Sequence, residues 1–273
     1  MADVLAFGEV LWDVINGVPH IGGAPLNFAA HAAKCRLSAS VVSSVGNDEL
    51  GQRAREVVKT LGVDDSLMQT NPVLPTGTVK VTVKQGIPSY EIIQPVAWDE
   101  IRVDLEGLPL PRALYFGTLA QRSAMSAETL TRLLGAFPSS LAFFDVNLRQ
   151  NFWTKELVAK CLACTDILKV NDEEMVALGL NVSDLFETYP RLGTVIETRG
   201  AKGCAVWDRN GDFLEQPAIS DGPVVDTVGA GDAFSAAFLA AVLNGKTLRE
   251  AAEDGSVRAG RVAARAGAIP EGI

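Results

Sequence analysis

From Ala113 onward, short apolar runs alternate with stretches whose apolar residues recur every three or four positions, and few folds accommodate that alternation. Leu114 to Phe116, Leu141 to Val146, Ile167 to Val170 and Val195-Ile196 read as strands. Ser126 to Leu134 and Leu157 to Leu162 read as helices between them. A strand reaches a parallel neighbour only through a crossover long enough to hold a helix, so the pattern implies a parallel sheet. Near-continuous apolar letters within the strands imply that helices cover both faces. The first half begins in the same way. Val4 to Gly8 reads as a strand and Val41, Val42 and Val45 as another; Leu50, Ala54, Val57, Val58 and Leu61 mark a helix that Gly62 stops. In such α/β sheets ligands bind outside the carboxyl ends of the strands. Polar clusters fall there: Asp145, Asn147 and Arg149 after one strand, Asn171 and Glu174 after the next, and Thr198-Arg199-Gly200 after Val195-Ile196.

Between residues 76 and 93 the period changes. Val79, Val81 and Val83 alternate with Thr78, Lys80, Thr82 and Lys84, the signature of a strand wet on one face. Gly86 and Pro88 turn the chain, and Tyr90 to Ile93 returns as a second strand. A small sheet inserted in an α/β chain is a candidate lid or a plain surface hairpin. At 273 residues and 48% hydrophobic, the chain can bury a substantial core. A net charge of −9 without a basic cluster argues against nucleic acid and anionic membranes as partners. Asp3 and Glu9 interrupt the first apolar run, which does not read as a signal peptide. The longest apolar stretch, Ala233 to Leu243, falls short of the ~20 residues of a membrane span. Cys161 and Cys164 form a lone C-x-x-C that shares a helical face with Leu157; buried thiols and a reducing cytoplasm are expected. His31, with no metal-spaced partner, reads as a packed or surface histidine.

One turn carries the strongest chemical signal. In Asp226-Thr227-Val228-Gly229-Ala230-Gly231-Asp232-Ala233-Phe234, two glycines open a helix marked by Phe234, Ala237, Phe238, Ala241 and Val242. A helix start presents unpaired N–H groups and partial positive charge, and glycines let an anion approach closely. Asp232 in the first turn is then either a capping acid or a base aimed at an attacking hydroxyl. Other glycine patterns do not make a phosphate loop. Gln52 stands where Gly46 to Gly51 would need lysine, and Ala240 stands where Gly245-Lys246-Thr247 would need glycine. Phe234 replaces the third glycine of a dinucleotide fingerprint, which disfavours an oxidoreductase.

The turn from Asp226 to Phe234 resembles the C-terminal motif of the ribokinase-like (PfkB) sugar kinases. Gly22-Gly23-Ala24-Pro25-Leu26-Asn27 followed by Gly46-Asn47-Asp48-Glu49-Leu50-Gly51 resembles the family's N-terminal motif, so the likeness covers nearly the whole chain. Gly8-Glu9, Trp12-Asp13, Ala97-Trp98-Asp99 and Asp145-Val146-Asn147-Leu148-Arg149 are most similar to the fructokinase branch. The resemblance implies one ribokinase-like α/β domain over residues 1–273, a mainly parallel sheet covered by helices, with a lid from about 11–21 and 75–96. It implies ATP-dependent phosphorylation of a small sugar, fructose first, with ribose, 2-keto-3-deoxygluconate or a nucleoside as alternatives. A non-catalytic sugar- or nucleotide-responsive binding protein is the rival from another class.

By the same likeness Asp232 is the catalytic base and Gly229, Ala230 and Gly231 form the anion hole. Asp13, Gly22, Gly23, Asn27, Asn147 and Arg149 meet the sugar. Asn171, Thr198, Arg199, Gly200, Gly203 and Gly231 meet the nucleotide. Glu174 lies near Mg²⁺, through water, although Asn171 to Glu174 fits a capped helix start equally well. Asp226 and Val228, with Arg265-Ala266-Gly267-Ala268, mark a candidate K⁺ site; Glu271 departs from the family's pattern. Two copies are expected to pair through the lid strands.

Overall fold

Successive residues of the first strand point to opposite faces, and each face finds its own core. Val4 and Ala6 join one apolar cluster, Leu5 and Phe7 the other. In the computed structural model, residues 2–15, 17–84 and 87–273 are described. The chain runs β1 (Val4–Phe7), β2 (Leu11–Ile15), β3 (Val18–Gly22), α1 (Ala24–Lys34), β4 (Ala39–Gly46), α2 (Glu49–Thr60), β5 (Met68–Asn71), β6 (Gly77–Lys84) and β7 (Ile87–Ile92). It continues with β8 (Ala113–Phe116), α3 (Ala124–Ala136), β9 (Leu141–Asp145), α4 (Lys155–Leu162), β10 (Ile167–Asn171), α5 (Asp172–Leu178), α6 (Val182–Thr188) and β11 (Thr194–Thr198). An antiparallel hairpin, β12 (Cys204–Asp208) and β13 (Phe213–Gln216), precedes α7 (Ala230–Leu243) and α8 (Leu248–Ala263).

Nine strands form the main sheet in the order β13-β12-β11-β10-β9-β8-β1-β4-β5. From β5 to β11 every pairing is parallel; only the β12–β13 edge runs antiparallel. This is a ribokinase-like α/β fold. One cluster packs α1, α2, α7 and α8 against the sheet; the other packs α3 to α6. α7 is buried along most of its length, from Ala233 to Ala241, because alanine and phenylalanine leave no polar face to expose. Phe28 of α1 stacks on Tyr115 of β8 with ring centroids 3.8 Å apart, which fixes α1 against the sheet.

A second, four-stranded sheet has the order β3-β2-β6-β7 and therefore draws on residues 11–22 as well as 77–92. Gly86, half of the expected turn, lies outside the described residues. The joint to the main body explains two of the motifs. Asp48 caps α2 by accepting from Gly51 N at 2.8 Å, and it also accepts from Thr76 N and Thr76 Oγ1 just ahead of β6. Trp98 is fully buried against β6, and a Cβ on Gly77 would come within 2.3 Å of its indole nitrogen, so the close approach needs glycine. Asp99 is clamped by Arg122, whose guanidinium also covers the Trp98 ring at 3.8 Å and donates to Ile93 O.

Two expectations need correction. Cys161 is buried on α4, but Cys164 lies past that helix's end and is partly exposed, so the two thiols do not share a buried helical face. The helix expected over 126–134 runs from Ala124 to Ala136, because Ser123 turns the chain earlier than the apolar period reveals. No helix among the described residues is long and apolar enough to cross a membrane.

Candidate active site

The chain leaves β1 for β4 on one side of the sheet and for β8 on the other, which opens a crevice at the carboxyl ends of these strands. Glu9 follows β1, Asp145 ends β9 and Asn171 ends β10. The N-terminus of α7 points into the same region. Its N-cap Gly229 has φ 76° and no side chain caps the turn; Ala230 N donates to Thr227 O, which leaves the N–H groups of Gly231 and Asp232 for an anion. Glycine is required at 229, since a Cβ there would lie 2.6 Å from the Ala268 backbone. At 231 a Cβ would sit 3.2 Å from Lys169 Nζ, so an ammonium group flanks the opening of the turn.

A polar contact joins helices α1 and α7. Asn27 Nδ2 donates to Asp232 Oδ2 at 2.8 Å, while the buried Asn27 Oδ1 has no partner. Asp232 retains some solvent contact, yet its pKa is pushed up to about 7, first by burial and then by Asp145. Glu9 is 4% exposed and likewise raised to about 7 by burial, with Ala24 N donating to it. Asp13 is raised by burial, which Arg149 opposes. The Arg149 guanidinium, exposed and bonded among the described residues to Leu148 O, exerts its positive charge on Glu9, Asp13 and Asp232 together.

Behind Asp232 lies a buried network. Asp145, 1% exposed, pairs with Lys169 Nζ at 3.0 Å and accepts from Tyr115 Oη at 3.1 Å and Ser235 Oγ at 3.0 Å. Burial works to depress the Lys169 pKa, but Asp145 and Glu174 override it and hold the lysine charged. Glu174 closes a capping box with Asn171 and accepts from Leu148 N at 2.8 Å. Its carboxyl is raised by burial and held back by Lys169. The helix-cap interpretation of Asn171 to Glu174 is therefore realised, and the same cap places Glu174 beside Lys169.

Most of the other candidate residues converge here. The Asp13 carboxylate lies against Gly22, where a Cβ would be 2.7 Å from Oδ2, and the Gly23 backbone packs on Glu9 O. Asn147 has φ 46°, and its carbonyl accepts from Thr118 Oγ1. Asp226 accepts from Val228 N at 3.0 Å and Gly267 N at 3.1 Å, tying the α7 approach to the C-terminal segment. Thr198, Arg199, Gly200 and Gly203 gather apart, around the β11–β12 connection. The Arg199 charge is already committed to Glu197 and Glu215, so the backbone of this loop rather than its guanidinium remains for a nucleotide. Lys169, Glu9, Tyr115 and Ser235 had no assigned role in the sequence. Lys169 did leave a signal: a charge inside the apolar run Ile167-Leu168-Lys169-Val170 has to find a buried partner. His31 is fully buried and bonds Ala268 O at 2.8 Å.

The model of the pfkB family of carbohydrate kinases matches residues 2–271. The chain belongs to this family. This kinase is 31% identical over 268 residues to an uncharacterized sugar kinase of Pyrococcus horikoshii, spanning 90% of this chain and 84% of that one. The crystal structure of the same archaeal protein in complex with ATP superposes with a TM-score of 0.84 at 26% identity, covering 97% and 94% of the two chains. Fructokinase-2 of Solanum lycopersicum is 25% identical over 284 residues, covering 90% and 84%. A 2-dehydro-3-deoxygluconokinase of Dickeya dadantii is 38% identical over 137 residues, covering 46% and 44%. The pfkB-family protein is thus an ATP-dependent sugar kinase.

Proposed function

We propose that this kinase phosphorylates fructose, with Asp232 as the general base. The observation that carries the reading is the Asn27–Asp232 pair at the uncapped start of α7, with one buried amide oxygen left unpartnered. A sugar hydroxyl satisfies Asn27 Oδ1, and a second hydroxyl faces the Asp232 oxygen that Asn27 does not hold. Asp13 accepts from further hydroxyls, as a carboxylate can from a vicinal pair. A carboxyl with a pKa near 7 suits proton abstraction at neutral pH. Asp232 takes the hydroxyl proton, the freed oxygen bonds to the γ-phosphorus, and the bond to the β-phosphate oxygen breaks with its electron pair leaving on ADP. The N–H groups of Gly231 and Asp232 and the Lys169 ammonium face the charge that spreads over the transferring group. Thr198, Gly200 and Gly203 supply backbone to the nucleotide.

Among the described residues no group of three or more His, Cys, Asp or Glu side chains could hold a metal ion directly. Glu174, inside the site beside Lys169, fits a water-mediated contact. When bound, Mg²⁺ would neutralise phosphate charge, with Glu174 holding it through water. The Asp226–Val228 turn fits a K⁺ that braces the α7 approach. The four-stranded sheet acts as the lid, and the exposed Ile15 and Val18 on β2 and β3 favour pairing of two copies through it.

Fructose is favoured by the fructokinase-like motifs and the tomato relative. A second reading, a 2-keto-3-deoxy sugar acid, is favoured by the Dickeya relative and by the exposed Arg149 guanidinium, which suits a carboxylate. Coupled ADP release with fructose, ribose, 2-keto-3-deoxygluconate and a nucleoside decides between them. The expected result is the highest kcat/KM for fructose. A higher value for the sugar acid overturns the substrate, and no sugar-dependent ADP release with any of the four overturns the kinase mechanism.

A further inference from the structure

A second polar cavity lies on the other side of α7 from the sheet crevice. About 270 Å³ in volume, it opens between α1, α7 and α8, floored by Ala237, Ala240 and Ala241. Its floor at Ala240 is about 12 Å along the helix from Asp232, at 1.5 Å per residue. Lys246, Arg258 and Arg261 line it, against one acid, Asp254. That bias stands out in a chain of net charge −9. Asp254 neutralises Lys246 through a 2.6 Å ion pair, so the two arginines, three residues apart on α8, keep their charge.

Arg258 is the unusual member. Among the described residues its Nη2 donates to the Cys35 thiol at 3.4 Å, a weak acceptor, and its buried Nη1 has no partner. A desolvated guanidinium N–H without an acceptor is costly, and folded proteins seldom leave one. Its positive charge reaches its neighbours: Lys34 is held below the usual lysine range by burial and then by Arg258. Arg261 is exposed and makes no side-chain ion pair or hydrogen bond among the described residues.

We infer that this cavity binds a small phosphate dianion, either free inorganic phosphate or the phosphate of a small monoester, through Arg258 and Arg261. Two guanidinium forks meet a tetrahedral oxyanion with paired N–H donors, and the apolar alanine floor leaves room rather than competing acceptors. A volume of about 270 Å³ holds one phosphate with a few carbon atoms. The alanines in the floor belong to the helix that carries Asp232, so the occupant braces α7 from the end opposite the catalytic turn. The inference rests on α7, α8 and the end of α1 at Cys35, and does not depend on which sugar the kinase uses.

Calorimetric titration of the whole protein tests it, with the catalytic crevice saturated by ADP and Mg²⁺ and with inorganic phosphate and glycerol 2-phosphate as separate probes. One site per chain is expected, with a dissociation constant of about 1 mM or lower. Arg261→Gln, on the exposed side, should weaken it by at least about tenfold, as should Arg258→Gln if that variant folds. Asp232→Asn should leave it unchanged. Bound phosphate should also slow alkylation of Cys35, located by peptide mass spectrometry. Tighter binding of the monoester identifies a metabolite as the occupant, and tighter binding of inorganic phosphate identifies the free ion. No saturable binding of either probe, or equal affinity in wild type and Arg261→Gln, overturns the site.

Discussion

Asp232 and Lys169 both lie beside Gly231 and each feels the other's charge, but their expected contributions differ in kind. Asn at 232 keeps the size and the helix-start preference of Asp, so Asp232→Asn should fold normally. Without a base, kcat at saturating ATP and sugar should fall by about 10²–10⁴-fold. Retention of more than about a tenth of wild-type turnover would refute the base assignment. Because the Asp232 pKa lies at about 7, wild-type kcat/KM should climb as pH rises towards 7 and level off above it. Lys169 works through charge balance. Lys169→Met strands Asp145 and Glu174 in the interior, which should cost about 3–5 kcal/mol in denaturant unfolding. Adding Asp145→Asn should restore part of the loss. An unchanged unfolding midpoint for the single variant would show that the pair is not an anchor.

At the scale of elements, the small sheet joins the main body through a few defined contacts. Asp48 holds the chain ahead of β6, Trp98 abuts Gly77, and Arg122 grips Asp99 and the carbonyl of Ile93. Asp13 sits on β2, and under the proposed sugar contact it couples sugar binding to the position of the small sheet through one strand. Amide exchange in β2 and β6 should slow by about an order of magnitude or more on adding saturating sugar, the signature of a closing element with low intrinsic stability. Exchange unaffected by sugar would leave the sheet as a static wall of the crevice. α7 plays the opposite part. Buried from Ala233 to Ala241, it is the rigid platform on which the Gly229–Gly231 turn and Asp232 are mounted.

At the scale of the whole molecule, the crevice accumulates carboxylates: Glu9, Asp13, Asp145, Glu174 and Asp232 share the region with Lys169 and Arg149. The cost appears as pH-dependent stability. Glu9 has a folded pKa of about 7 against 4.5 when free, so the folded state binds its proton more tightly. The stabilisation is complete below pH 4.5 and is lost as pH rises through 7. In ligand-free enzyme Glu9→Gln, which cannot ionise, should gain Tm relative to wild type at pH 8 while the difference shrinks at pH 5. Scanning calorimetry at the two pH values checks this, and a difference that does not change with pH would mean that Glu9 is not held in the protonated form.

The alternation of strands and helices, the period change at Thr76 and the glycine turn before Asp232 are all local patterns. Each depends on a few neighbouring residues, so the parallel sheet, the inserted small sheet and the start of α7 are legible in the letters alone. Element ends such as Ser123, and the position of Cys164 past α4, follow packing and capping rather than period, and the letters misplace them. The site divides in the same way. Asp232, Asn27 and Asp13 stand out through their motifs, but the contact between Asn27 and Asp232 spans 205 positions of sequence. Only the packing of α1 on α7 creates it. The parallel register of β9 and β10 brings Lys169 to Asp145, and the antiparallel β11–β13 edge brings Glu215 to Arg199. The raised pKa values of Glu9 and Asp232, the commitment of Arg199 and the basic cavity behind α7 come from desolvation and proximity. Those quantities exist only once distant segments share a volume from which water is excluded.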